Sequence, residues 1–309
     1  MDLADTDQIA IDHRAFVASL SPEDAVRLTE KSDAAGLARL AFHWGAILFL
    51  GALIVARVPL WPALMLPQGI LVVFLFTALH ETSHRTPFAA RWINDAVARI
   101  CGFLILLPAE WFRFFHFAHH RHTQDPDNDP ELIAGGKPET LRQYVVHVTG
   151  LPVWSGEIKT LLRNAAGRRD DTFVPEKARG RVAREVRMML ALYALLAAGS
   201  VWSGSTVLLW VWVVPSLIGQ PFLRLYLLAE HGRCAFVANM LENTRTTFTN
   251  RLVKLIAWNM PYHVEHHSMP TVPFHRLPQL HALMRGHLKV TERGYARFNW
   301  KYVATLSRS

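Results

Sequence analysis

Four nearly uncharged apolar stretches, 37–58, 60–79, 188–202 and 205–228, constrain this chain more than any other feature. A bilayer core about 30 Å thick needs roughly 20 apolar helical residues, so each stretch reads as a transmembrane helix. Pro59 joins the first pair and Ser203-Gly204 the second, both too tightly for intervening structure. The expected fold class is therefore all-α and integral to the membrane, with four transmembrane helices in two hairpins. Arg39 and Arg57 bracket the first span, and Arg187 and Arg224 sit near the long-loop ends of the third and fourth, placed to snorkel to headgroups.

Orientation follows from the basic residues. Between Glu81 and Glu185 lie 15 Lys and Arg, and 11 follow Leu228, whereas the two short turns hold only Arg57. The positive-inside rule puts the long segments in the cytoplasm, with both termini, as a helical cap over 80–187 and 229–309 on an inner-membrane protein. Residues 1–36 form a polar cytoplasmic segment ahead of a membrane domain over 37–309. Within that segment Ser21, Pro22, Glu23 and Asp24 predict a helix start. Asp2, Asp5, Asp7 and Asp12 oppose a secretory signal. Residues 96–117 are too short an apolar run to span and predict an interfacial or re-entrant helix limited by Pro108, and His147, Gly150 and Pro152 argue against a span at 144–154. The Arg-rich stretch 163–187 reads as a solvated connector.

A net charge of +8 raises nucleic acid as a partner, but the basic residues are scattered among apolar runs without a recognition motif, so none is expected. Cys101 and Cys234 form no CxxC pair and read as reduced thiols.

Eight of the 16 histidines fall in three short clusters: His80 and His84 in HETSH, His116, His119 and His120 in HFAHH, and His263, His266 and His267 in HVEHH. Residues three and four apart share a helix face, so each cluster can aim its rings at one point, and the topology brings all three to the same side of the membrane. Imidazole favours iron, zinc, copper or nickel over magnesium and calcium. A structural zinc closes with four ligands, so eight rings suit two ions. Zinc lacks redox chemistry, which leaves iron ahead of copper for oxygen activation. HETSH also fits the HExxH pattern of zinc hydrolases, but that reading leaves the other two clusters without work. A haem-binding membrane electron carrier is the alternative from another class. It needs histidines at mid-bilayer depth, where only His43 lies.

The three boxes, in this order and with two hairpins at these intervals, resemble the histidine boxes of the membrane fatty acid desaturase and hydroxylase superfamily over roughly 37–293. HHRHTQDPDNDPE and NMPYHVEHHSMPTVPFHRLP are also similar to bacterial members, including the carotenoid ketolase branch. The resemblance implies a di-iron centre, dioxygen as co-substrate and ligand roles for the eight box histidines, with His231 as a ninth. It implies a desaturase acting on fatty acyl chains, with a hydroxylase or ketolase of the same superfamily as the alternative.

Glu81, Glu230 and Glu265 lie beside the boxes and are expected to orient ligand rings from behind, as is His122. Asn259, four residues before His263, is expected on the same helix face. Asp125, Asp127 and Asp129 read as a loop closing over the site. Pro215, Gly219 and Pro221 are expected to bend the fourth span and widen a substrate tunnel. Neither a Rossmann fingerprint nor a fused redox module is present, so a separate ferredoxin-like electron donor is expected.

Overall fold

The computed structural model describes residues 11–168 and 170–307; Asp2, Asp5 and Asp7 lie outside them. Four helices are long and apolar enough to cross a membrane: Asp33–Val55, Trp61–His84, Glu176–Trp202 and Leu209–His231. The first is capped by Ser32, whose hydroxyl accepts from Ala35 N. Among the described residues the sole sheet is a short parallel pair, Thr246–Phe248 against Thr291–Arg293, which the all-helical expectation did not contain.

The third helix starts at Glu176, 12 residues before the apolar run that announced it. Ala178, Val182, Val186 and Met189 are buried on one face of its charged first half and pack with Leu161 and Val174. The arginines occupy the other faces, so this stretch is an amphipathic helix rather than a solvated connector. Leu141–Thr149 and Leu151–Ala165 precede it, separated by Gly150 at φ +71°.

The second and fourth spans cross at two glycines. A Cβ on Gly69 would lie 1.9 Å from Pro215 O, and one on Gly219 would lie 2.3 Å from the Gly69 carbonyl carbon. Gly219 therefore draws the spans together instead of widening a tunnel. The fourth span opens with a π-helical turn, Leu209–Val213, ahead of Pro215. Proline has no N–H to donate to the carbonyl four residues back. Gln68 Nε2 supplies the missing donor to Val211 O at 2.9 Å, tying the spans together at the same level.

Arg91–Leu104 and Ala109–His122 meet at 99°. The corner is built by Leu106 at φ +63° and by Leu107 N donating to Gly102 O at 2.8 Å, with Pro108 leading into the second limb. That limb turns the HFAHH cluster back over the ends of the spans. The N-terminal helices His13–Ser19 and Pro22–Thr29 pack on this assembly through Phe16 and Leu28, and Ser21 caps the second as its sequence predicts.

Candidate metal centre

Helix geometry carries each cluster to the centre. His80 and His84 lie one turn apart on Leu75–His84, and His116, His119 and His120 end Ala109–His122. His263, His266 and His267 occupy the short helix His263–Ser268, and His231 is the last residue of the fourth span. All nine rings converge.

They do so in two groups. In the first, Nε2 of His116 is 2.8 Å from Nε2 of His84 and 3.0 Å from that of His120, which is 3.2 Å from Nε2 of His266. His80 joins them, with its ring 4.2 Å from that of His116 and 4.6 Å from that of His266. In the second group, Nε2 of His231 lies 3.2 Å from Nε2 of His119 and 3.1 Å from Nε2 of His263, with His267 completing the set. Imidazole nitrogens bound about 2.0–2.1 Å from one ion stand roughly 3 Å apart when adjacent, so the spacing fits a metal.

The protons say the same. His231 Nδ1 lies 3.1 Å from the backbone carbonyl of Asn243, which can only accept, so Nδ1 carries the hydrogen. His119 Nδ1 faces Asp129 at 3.0 Å with the same consequence. With both rings neutral, their Nε2 lone pairs then face each other at 3.2 Å. Thr123 donates its hydroxyl to His119 O at 2.8 Å and so accepts from His267 Nδ1 at 3.2 Å, leaving buried His267 Nε2 without a partner among the described residues. Lone pairs aimed at one another in a buried space repel unless a cation sits between them. The donor set therefore fits two imidazole-ligated metal ions. Burial, reinforced by neighbouring rings, holds His263, His266 and His267 well below the usual imidazole range, which keeps them in the neutral form that metals bind.

The residues expected behind the ligands divide. Glu81 Oε1 and Glu230 Oε1 stand 3.5 Å from Nδ1 of His266 and His263, respectively. Glu265 is fully buried but faces His281 and Thr246 instead of a ligand ring. His122 points to Asp125 at 3.9 Å. Asn259 shares no helix with His263: Pro261 interrupts the chain, Asn259 takes φ +59°, and its amide donates to Phe274 O at 3.0 Å. His43 is committed elsewhere, with Nε2 at 2.8 Å from Leu71 O and Nδ1 accepting from Trp258 Nε1.

Asp129 is the residue that sequence reasoning placed too loosely. Asp125 and Asp127 do form a turn, but Asp129 is 1% exposed and accepts from Gln124 N and Glu131 N while holding His119. Its signal was Asp-Pro, an N-cap followed by proline at the first helical position, which starts the helix Pro130–Ile133. Asn243 and Thr123, which fix His231 and His267, carry no signal in the sequence.

A cavity of about 630 Å³ adjoins the centre. Phe76 and Phe112, in edge contact at 5.4 Å, form its inner wall, and Phe112 stacks on His116 at 5.4 Å while Phe76 lies 6.1 Å from His80. One layer of aromatic rings separates the cavity from those two histidines.

The chain is similar to a dihydrorhizobitoxine desaturase of Bradyrhizobium elkanii, 25% identical over 75% of this chain and 70% of that protein. It is also similar to an sn-1 oleoyl-lipid 12-desaturase of Synechocystis sp., 22% identical over 94% of this chain and 88% of that protein. An sn-1 acyl-lipid omega-3 desaturase (ferredoxin) of Nostoc sp. is 31% identical over 27% of this chain and 22% of its own length. The family model for fatty acid desaturase matches residues 56–299, the part that holds all nine converging histidines. This chain belongs to the fatty acid desaturase family, and is an oxidoreductase of the desaturase type.

Proposed function

We propose that this protein introduces a double bond into a fatty acyl chain, using dioxygen and a pair of iron ions held by His80, His84, His116, His120 and His266 on one side and His119, His231, His263 and His267 on the other. The observation that carries this reading is the convergence of nine imidazole rings in two groups, with Nε2 atoms about 3 Å apart in each. When bound, the irons would activate dioxygen, the oxidant that removes hydrogen from an unactivated C–H bond. The balance is one saturated CH₂–CH₂ unit, one O₂, two electrons and two protons giving one alkene and two waters.

The chain's own residues do the rest. Asp129, Asn243 and Thr123 set ring tautomer and direction from behind the ligands, and Glu81 and Glu230 stand 3.5 Å behind His266 and His263. Phe76 and Phe112 line the approach with apolar rings, which exclude water and hold an alkyl chain close to His80 and His116. In this reading residues 37–309 form the membrane domain behind a polar segment at 1–36. Its four spans make two hairpins in the inner membrane, and the boxes lie in a cytoplasmic cap along with both termini. A separate ferredoxin-like protein delivers the electrons to that basic face. The name of the Nostoc relative supports such a donor.

Lipid profiling of cells expressing wild type beside His119→Ala, with iron measured in both purified proteins, tests the proposal. New unsaturated acyl chains in wild type alone, with iron near two per chain, are expected. Unchanged lipids in wild type together with iron near zero would sink it.

A further inference from the structure

The cavity beside the metal centre is apolar where Phe76 and Phe112 face His80 and His116, and it carries a polar end lined by His147, Trp154, Glu157 and Arg224; Glu131, also in its lining, stands within 4.8 Å of His119. Arg224 Nε, Trp154 Nε1, His147 Nε2 and Glu157 Oε2 are buried there without hydrogen-bond partners among the described residues. A buried polar atom without a partner is costly, and four in one place point to a missing ligand. Two neighbouring charges on the same wall are already matched, Lys137 by Glu131 and Glu139 by Arg233, each at 2.7 Å. Arg224 and Trp154 can only donate. Burial pushes the Glu157 carboxyl up to about 8, which makes it a third donor near neutrality.

We propose that this polar end binds the carboxylate of a single-chain amphiphile, with Arg224 Nε and Trp154 Nε1 as donors and the alkyl tail running past Phe76 and Phe112. The inference rests on the desaturase reading in taking the cavity as the substrate site. Its volume, about 630 Å³, suits one such molecule. Arg224 precedes His231 by seven residues on one helix, about 10 Å along its axis. The anchor thus stands close enough to the centre to fix the oxidised bond by its distance from the head, whatever the tail length.

Dodecanoate and methyl dodecanoate, titrated against the purified full chain in detergent and followed by tryptophan fluorescence, test this without turnover. Wild type should bind the acid at least tenfold more tightly than the ester. That ratio should fall to within twofold in R224Q, fall partly in W154F and R224K, and survive in E157Q. Should R224Q melt before measurement, W154F and R224K still carry the comparison. Equal binding of acid and ester by wild type, as expected if water alone fills this end, would overturn the proposal, and so would a ratio unmoved in R224Q, or in both W154F and R224K. Acid preference without any unsaturated product would count against the activity alone, and product without acid preference against this inference alone.

Discussion

Asp129 presents both carboxylate oxygens to one nitrogen of His119, at 3.0 and 3.2 Å from Nδ1. The carboxylate fixes the proton on Nδ1 and makes Nε2 more basic, an effect that outer partners of metal-bound histidines typically contribute at 10–100-fold in affinity. Asp129→Asn should therefore retain the fold and lose iron about 10- to 100-fold more readily to a chelator. Iron per chain after graded chelator dialysis reads this directly; identical retention in variant and wild type would remove Asp129 from the centre.

His231 belongs to the second group of nitrogens only. His231→Ala should bring iron from about two per chain to about one, whereas His287→Ala, whose ring packs on Phe16 at 5.3 Å, should leave it at two. Metal analysis of the two purified variants decides, and full iron in His231→Ala would contradict the assignment of a ninth ligand.

At the glycine crossing, Gly219→Ala forces a methyl group against Gly69 backbone that has no side chain to give way. Overpacking of this kind costs about 1–3 kcal/mol. A lower melting temperature is expected, with a fall in iron content because His80 and His231 both lie beyond this crossing. A melting temperature equal to wild type would show that the spans can part freely.

The iron-free protein should lose stability as pH falls. His263, His266 and His267 have folded-state pKa values lowered by burial and by their neighbours, so below the unfolded value near 6.5 the unfolded chain binds more protons than the folded one. Each ring then contributes a slope of up to about 1.4 kcal/mol per pH unit, and stability rises with pH until the unfolded rings are neutral. Melting curves from pH 7.5 to 5 should show the fall, and His267→Asn should flatten it. A slope that His267→Asn leaves untouched would refute the argument.

Electron delivery by an acidic ferredoxin to a basic face should weaken with salt, since exposed charges are screened over about 8–10 Å at physiological ionic strength. Turnover with such a donor, measured from low to high ionic strength, should decline; a flat profile would point to another kind of donor.

Legibility in the sequence tracked how local the physics is. The histidine boxes were readable because i, i+3 and i+4 spacing is a property of one helix, and the membrane spans because hydrocarbon thickness counts residues. The beginning of the third helix at Glu176 was hidden because its burial is confined to one face, and arginines on the others masked the apolar spacing of Ala178, Val182, Val186 and Met189. Asn259 was misplaced because Pro261 intervenes before the helix begins at His263. Nothing local announces that Gln68 serves the carbonyl released by Pro215, or that Asn243 orients His231, since both are contacts between distant segments.

Six of the nine histidines also share a position: His84, His119, His120, His231, His266 and His267 stand in the closing turns of four helices, Leu75–His84, Ala109–His122, Val214–His231 and His263–Ser268. Aligned peptide dipoles leave each such end with about half a negative charge. Four ends directed at one spot add up to roughly two negative charges held by backbone alone. An empty centre would set these ends repelling one another, while cations between them turn the same field into attraction. On the proposed di-iron reading the scaffold is thus poised electrostatically for cations before any imidazole is counted, and these helix ends should draw together as ions enter.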